Sequence, residues 1–291
     1  MGTLKIAVAS GKGGTGKTMV ATSLAASLAE EHQIQFLDCD VEAPNAHLFL
    51  KPEIQHKKPA VIMIPKIDEV ICTQCGRCAK GCAFNALAQV GEKILVFPQL
   101  CHGCGNCTLI CPVNAISEHP REIGWLCHGK SLHGMDYLMG ELTISEPMPT
   151  PIIRQLKALM RDHYDISILD SPPGASCAVV ATLNNVDFVL LVTEPTPFGL
   201  HDLRQILGIL EHTTTPAGVI INRDGIGNDD LMNFVNGTQY PILLEIPYEE
   251  QIASGLAKGM LLLEILPTYR EKFLELYRHI SSMLEQQGGL G

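Results

Sequence analysis

Apolar and polar positions fall along the chain in two kinds of block. Short runs rich in branched residues, Leu4 to Ala9, Gln35 to Leu37, Ile166 to Leu169, Phe188 to Val192 and Ala217 to Ile221, have the length and composition of buried strands. Longer stretches with apolar residues at helical spacing predict helices over Lys17 to Glu31, Ile152 to His163, Gly199 to Glu211 and Thr268 to Glu285. Strand and helix blocks in alternation predict an α/β fold, a parallel sheet covered on both faces. The last helix places Phe273, Leu274, Leu276, Tyr277, Ile280 and Met283 at helical spacing. Its Glu271, Glu275 and Glu285 dilute Arg270, Lys272, Arg278 and His279, so it is expected to dock on its own sheet rather than lie on a membrane.

Composition narrows the function class. With 291 residues and 46% apolar content the chain can bury one large core and a small satellite. No run of eighteen apolar residues and no cleavable leader are visible, which leads to the expectation of a cytoplasmic protein without a membrane role. A formal charge of -10 disfavours binding to a phosphate backbone, so no nucleic acid partner is expected. Eleven cysteines in such a setting point to metal or reactive thiols rather than disulfides.

The first strand runs through Ser10 into Gly11-Lys12-Gly13-Gly14-Thr15-Gly16-Lys17-Thr18 and then a helix. This is the G-x4-G-K-T phosphate loop in its proper strand-loop-helix context. Loop amides and the helix N-terminus would face phosphates, Lys17 the β and γ oxygens, and Thr18 a Mg2+ ion. Farther on, Asp38-Cys39-Asp40 closes a strand, Asp170-Ser171-Pro172-Pro173-Gly174 closes another, and Asn222-Arg223 a third.

Lys12, early in the loop, makes the stretch resemble the deviant phosphate loop of the MinD/ParA/Mrp family, which includes the nitrogenase iron protein. Met19 departs from the hydroxyl residue common after that loop. The resemblance covers about residues 1–60 and 120–285 and implies a parallel-sheet P-loop NTPase of the SIMIBI, MinD-like kind that closes as an ATP-bound dimer. It also implies that Lys12 reaches the partner's nucleotide, that Asp40 orients the attacking water, and that Asp170 holds Mg2+ through water. Gly174 would sense the γ phosphate, Asn222 would read adenine, and Arg223 and the Ile246-Pro247 segment would line the nucleotide. The dimer could be homotypic or pair with a paralogous ATPase.

Between the two ATPase segments lie Cys72, Cys75, Cys78 and Cys82, then Cys101, Cys104, Cys107 and Cys111, followed by Pro112. Each run reads C-x2-C-x2-C-x3-C, the spacing that wraps three thiolates around one corner of an iron-sulfur cube. Paired C-x2-C units also build zinc sites, but a doubled four-cysteine run does not suit one. By the crossing rule of two-cluster ferredoxins, Cys72, Cys75, Cys78 and Cys111 would hold one 4Fe-4S cluster, and Cys101, Cys104, Cys107 and Cys82 the other. The expected organisation is a MinD-like ATPase domain at 1–61 and 119–291, with an inserted bacterial ferredoxin-like domain at 62–118.

In the insert, four Lys/Arg balance four Asp/Glu, so oxidised clusters would leave an acidic face for a redox or metal-cofactor partner protein. Residues Pro44 to Pro65 are expected to link the first switch segment to this insert. Three cysteines remain. Cys39 is expected to pack inward, Cys177 to be a small buried residue of the helix after the second switch, and Cys127, with His128 and His133, to lie in a loop lining the insert. The spacing of Cys177 from Asp170 resembles that of a bridging-cluster ligand in the nitrogenase iron protein. The whole is read as an ATP-dependent iron-sulfur ATPase gating electron transfer, with cluster delivery and a redox-sensing positioning switch as alternatives.

Overall fold

The computed structural model describes residues 3–227 and 229–288. A nine-stranded sheet runs in the order β11-β10-β9-β1-β8-β2-β7-β6-β3. Its strands are β1 (Leu4–Ala9), β2 (Ile34–Asp38), β3 (Glu53–Ile67), β6 (Ile116–Lys130), β7 (Asp136–Leu142), β8 (Ile166–Asp170), β9 (Phe188–Thr193), β10 (Ala217–Asp224) and β11 (Ile242–Pro247). From β11 through β7 every neighbouring pair is parallel, while β6 runs antiparallel to β7 and to β3. The short hairpin β4 (Leu87–Val90) and β5 (Lys93–Val96) stands apart from the sheet.

Parallel strands buried on both faces need apolar residues on both, and the central ones have them. One face sends Ile6, Val8, Ile168 and Leu190 toward α1 (Lys17–Leu28) and α11 (Tyr269–Gly288). The other sends Ala7, Ala9, Leu169 and Leu191 toward α5 (Thr150–Lys157), α6 (Cys177–Leu183), α7 (Pro197–Leu210) and α8 (Asp230–Asn236). The remaining helices are short: α2 (His47–Leu50), α3 (Arg77–Lys80), α4 (Asn106–Leu109), α9 (Glu250–Leu256) and α10 (Leu262–Ile265). Helix α11 buries Tyr269, Phe273, Leu276 and Ile280 against α1 and β11, as its apolar spacing required. None of the described helices is long and apolar enough to cross a membrane.

The segment expected to be a linker from Pro44 to Pro65 is for the most part strand. From Glu53 to Ile67 it pairs residue by residue with Lys130 back to Ile116. Each partner offers fifteen residues, and Pro59, Pro65 and Pro120 are accommodated because β3 is an edge strand throughout and Pro120 lies where β6 pairs with β3 alone. Only residues 124–130 of β6 pair with β7, at the register Gly124 to Leu142. Residues 116–123 and their partners in β3 therefore run past the C-terminal end of β7 as a two-stranded ribbon, its base packed into the core of one sheet face through Ile62 and Ile123. The expected domain limits at 61/62 and 118/119 cut through this ribbon rather than through a loop.

At its tip, residues 68–115 form a small unit whose Cys78, Leu87 and Cys107 make a core with Ile116 of the ribbon, flanked by Ile67, Ile94 and Val96. The unit repeats itself. Gly76 and Gly105, both with left-handed φ (70° and 73°), start α3 and α4, and Asn85 and Asn114 take matching left-handed turns at 53° and 52°.

Candidate functional site

Ligands of open parallel sheets bind at the C-terminal ends of the strands. There the structure gathers the phosphate loop after β1, Asp40 after β2, Asp170 ending β8, Glu194 after β9 and Asn222 in β10. The loop, Asp40 and Asn222 line a cavity of about 500 Å3, while Asp170 and Glu194 reach it through the lysines they hold. Lys12, Gly13, Gly14, Gly16, Lys17, Thr18, Met19, Asp40, Asn222, Arg223 and Pro247 all line it, together with Phe49, Ile252 and Leu256. The phosphate loop thus shares the cavity with apolar side chains suited to a base. Gly11, Thr15 and Asp170 do not line it, though the Thr15 carbonyl and the Asp170 carboxylate hold Asn222 and Lys17, which do.

Local chemistry explains the loop. Gly16 has a φ of 93°, and an added Cβ would lie 2.3 Å from the Asn222 amide nitrogen, so only glycine fits. That close approach exists because Asn222 Nδ2 donates to the Thr15 carbonyl at 2.7 Å. An asparagine expected to read adenine is therefore also a brace of the loop.

Lys17 and Asp170 form an ion pair inside the protein, with side chains 6% and 0% exposed. Thr18 Oγ1 donates to the other carboxylate oxygen of Asp170 at 2.7 Å. A hydroxyl and a carboxylate converging beside a phosphate loop are the hard oxygen donors that Mg2+ takes. Asp40 is buried beside them, and burial, opposed by Lys17 and assisted by Asp170, pushes its carboxyl up to about 6.

Asp38, which the sequence reading left without a role, shapes this corner. Its carboxylate accepts the backbone N–H groups of Asp40, Asn45 and Ala46 at 3.2, 3.1 and 3.0 Å. It fixes the loop that carries Asp40, and burial, with Asp170 nearby, pushes it up to about 8. Gly174 donates its N–H to the Ser10 carbonyl at 2.9 Å, so the amide expected to meet the γ phosphate is engaged by the loop strand.

Glu194 was also missed. It is 5% exposed and lies in Thr193-Glu194-Pro195-Thr196-Pro197, directly after a buried parallel strand. A carboxylate at that strand end was the available signal. Its oxygens take Lys12 Nζ at 2.5 Å and Arg223 Nη1 at 2.8 Å. Arg223, in a left-handed turn, also donates to the Gly14 carbonyl at 3.2 Å.

The eight cysteines of the two runs surround two further cavities. Cys72, Cys75, Cys78 and Cys111 line one, and Cys82, Cys101, Cys104 and Cys107 the other. All eight are free thiols. Backbone N–H groups of Ala86 and Ala115 point at the sulfurs of Cys82 and Cys111, each at 3.3 Å, and that of Gly103 at Cys101 at 3.5 Å. Phe84 stacks on His102 at 3.7 Å between ring centres beside the second cavity. Among the described residues, no group of three or more His, Cys, Asp or Glu converges on a single-ion site. In a four-iron cube each thiolate takes a different iron, which calls for donors spread around a cavity.

The leftover cysteines correct two expectations and meet a third. Cys177 is exposed at the start of α6 rather than packed in it. Cys127 and His128 lie within β6, not in a loop. Cys127 is buried there, whereas His128 bonds Asp136 at 2.8 Å, and successive strand residues face opposite ways. Cys39 is fully buried as expected, its thiol pushed up by burial and by Asp38.

A strand, a phosphate loop, a helix and a carboxylate on the adjacent strand together define a P-loop nucleotide-binding protein. The chain belongs to the CobQ/CobB/MinD/ParA nucleotide-binding domain family, whose profile matches residues 6–263. An uncharacterised protein of Methanocaldococcus jannaschii is 32% identical over 284 residues, covering 97% of this chain and 98% of its own. An iron-sulfur cluster carrier protein of Rickettsia conorii is 24% identical, covering 93% of this chain and 69% of its own. Among solved structures, MinD of Pyrococcus horikoshii complexed with Mg-ADP shares the fold with a TM-score of 0.59 at 17% identity, covering 97% of each chain. The chain is thus a MinD/ParA-type ATPase.

Proposed function

We propose that this ATPase is an iron-sulfur protein that dimerises on ATP and uses hydrolysis to gate electron delivery through two 4Fe-4S clusters to a partner protein. The observation that carries this reading is the sorting of eight cysteines from two runs into two four-cysteine cavities, with Cys111 in the first and Cys82 in the second. That is the crossed pattern of two-cluster ferredoxins. Donor chemistry fits as well, since the thiols are free and backbone amides face three of the sulfurs. When bound, such clusters supply one-electron carriers.

The ATPase residues have distinct tasks. Lys17 neutralises the transferred phosphoryl group, while Thr18 and Asp170 would hold a Mg2+ ion that would offset phosphate charge. Asp40 accepts a hydrogen bond from the attacking water and aligns it, the positioning that phosphoryl transfer requires. Lys12 crosses to the nucleotide of the second subunit, and Asn222 and Pro247 hold the adenine.

Placement supports coupling of the two halves. The ribbon leaves the sheet at the C-terminal strand ends, the edge that carries the nucleotide cavity. Val41, next to Asp40, accepts Leu142 N–H at 2.7 Å, and Thr143 N–H bonds the Ile123 carbonyl in the ribbon at 3.0 Å. Arg121, also in the ribbon, clasps Glu146 with two bonds of 2.5 and 3.1 Å. A shift of the Asp40 loop on loss of the γ phosphate therefore has a bonded path to the insert.

Protein purified without oxygen and titrated by paramagnetic resonance tests the reading. Iron and sulfide near eight of each per chain are expected, with midpoint potentials that differ between MgADP and a nonhydrolysable MgATP analogue. A shift of about 59 mV is a tenfold coupling for one electron. Zinc in place of iron, or potentials blind to nucleotide, would overturn it. The likeness to iron-sulfur cluster carrier proteins favours a second reading, cluster delivery, which predicts nucleotide-dependent loss of iron to an apo-acceptor instead.

A further inference from the structure

Both lysines of the phosphate loop are already paired with carboxylates, but the two pairs differ. Lys17 is held by Asp170, which a Mg2+ ion would engage. Lys12 is held by Glu194 in the same chain, and Glu194 has a second cation. Its Oε1 takes Lys12 at 2.5 Å and its Oε2 takes Arg223 at 2.8 Å. Thr196 Oγ1 lies 3.4 Å from the same Oε1. The carboxylate is deeply buried, at 7% side-chain exposure, while Lys12 and Arg223 are 31% and 45% exposed.

We infer that Glu194 is a positioning residue that holds Lys12 in its own chain and competes with nucleotide phosphate for it. Removing one partner of a buried ion pair usually strands the other charge at high cost. Glu194 escapes that cost, because Arg223 remains on Oε2 and Thr196 stays beside Oε1 when Lys12 departs. Arg223 is itself fixed through the Gly14 carbonyl, so the carboxylate keeps its place while the lysine swings. Lys12 rests with its ammonium 6.0 Å above the Phe198 ring, a second weak contact on the same side that it must leave. Glu194 thereby sets how much triphosphate is needed to free the lysine, and so where dimerisation begins.

This inference rests on the reading that Lys12 serves a nucleotide across a dimer. The test measures dimerisation of the full chain by analytical ultracentrifugation against MgAMPPNP concentration. Glu194→Gln keeps the shape and removes the charge. It is expected to lower the MgAMPPNP midpoint at least fivefold, and Glu194→Asp is expected to return it toward wild type. In a Lys12→Ala background Glu194→Gln is expected to change MgAMPPNP affinity, measured by calorimetry, less than twofold. A merely structural role for Glu194 would weaken binding in both backgrounds. An unchanged or raised midpoint in a folded Glu194→Gln protein, or an equal gain without Lys12, would overturn the inference. If wild-type protein binds MgAMPPNP but never dimerises, the dimer reading itself fails and Glu194 is left without this role.

Discussion

The ATPase body and the cysteine-rich tip are built on opposite economies. The body buries a continuous apolar layer on each face of its sheet, from Ile6, Leu24 and Phe273 on one side to Leu37, Ile152 and Leu191 on the other. Its functional side chains are buried charges that already have partners: Lys17 with Asp170, and Glu194 with Lys12 and Arg223. The tip's apolar cluster has four buried residues, two of them cysteines, and beyond these only Ala86, Cys101 and Ala115 are buried apolar residues there, among the described residues. Val70, Ile71, Leu100 and Leu109 stay exposed there. A core of that size cannot offset the conformational entropy of nearly fifty ordered residues, counted from 68 to 115. The comparison teaches that the body folds around an open site, whereas the tip, on the proposed function, would rely on the clusters its thiols would hold.

The most drastic way to break the contrast is to strip the tip. Chelation under mild oxidation is expected to abolish hydrogen-exchange protection across residues 72–111 while the body keeps its unfolding transition. Equal loss in both regions would show that the tip is not an autonomous liability. Next in size, Lys17→Ala leaves Asp170 buried without its cation and is expected to cost the nucleotide-free body about 3 kcal/mol. Denaturant unfolding measures this, and a cost below about 1 kcal/mol would mean that Thr18 alone satisfies the carboxylate.

Asp40→Asn is expected to slow hydrolysis about 100-fold with nucleotide binding retained. The same carboxylate sets a pH limit. Its free-enzyme value is raised to about 6, so it is protonated and inactive below that pH and ionised above it. Accordingly, kcat/KM should fall as pH drops through about 6, and this limb should vanish in Asp40→Asn. The subtlest expected effect joins the two regions. Arg121→Met removes the clasp on Glu146 at a cost of about 1.5–3 kcal/mol. It is expected to shrink any nucleotide-dependent shift in cluster potential while leaving hydrolysis and the cluster spectrum unchanged. An undiminished shift would move the coupling path elsewhere, to the Gln155 side chain that brackets the Val61 backbone at 3.0 and 3.3 Å.

Much of the site was legible because its residues sit in contiguous motifs. The loop from Gly11 to Thr18 and both cysteine runs depend on local backbone geometry, which short sequence patterns encode. Glu194 was not legible in this way. A lone glutamate after a strand resembles any turn residue, and its partners Lys12 and Arg223 are 182 and 29 residues away. The ribbon was hidden by its composition: exposed, charged and proline-containing over Glu53 to Pro59, it reads as a linker until its partner strand is beside it.

By itself, then, the sequence determined a parallel α/β core, a deviant phosphate loop and two thiolate runs, since periodicity and short-range spacing carry each of these. Tertiary structure brought Cys82 and Cys111 each to the cavity of the other run, the crossing that the spacing rule had already assigned. It also decided that the tip hangs from the nucleotide edge of the sheet, and that Lys12 rests on Glu194. These depend on strand order and on side chains meeting across long stretches of chain, where only packing brings the charges into reach.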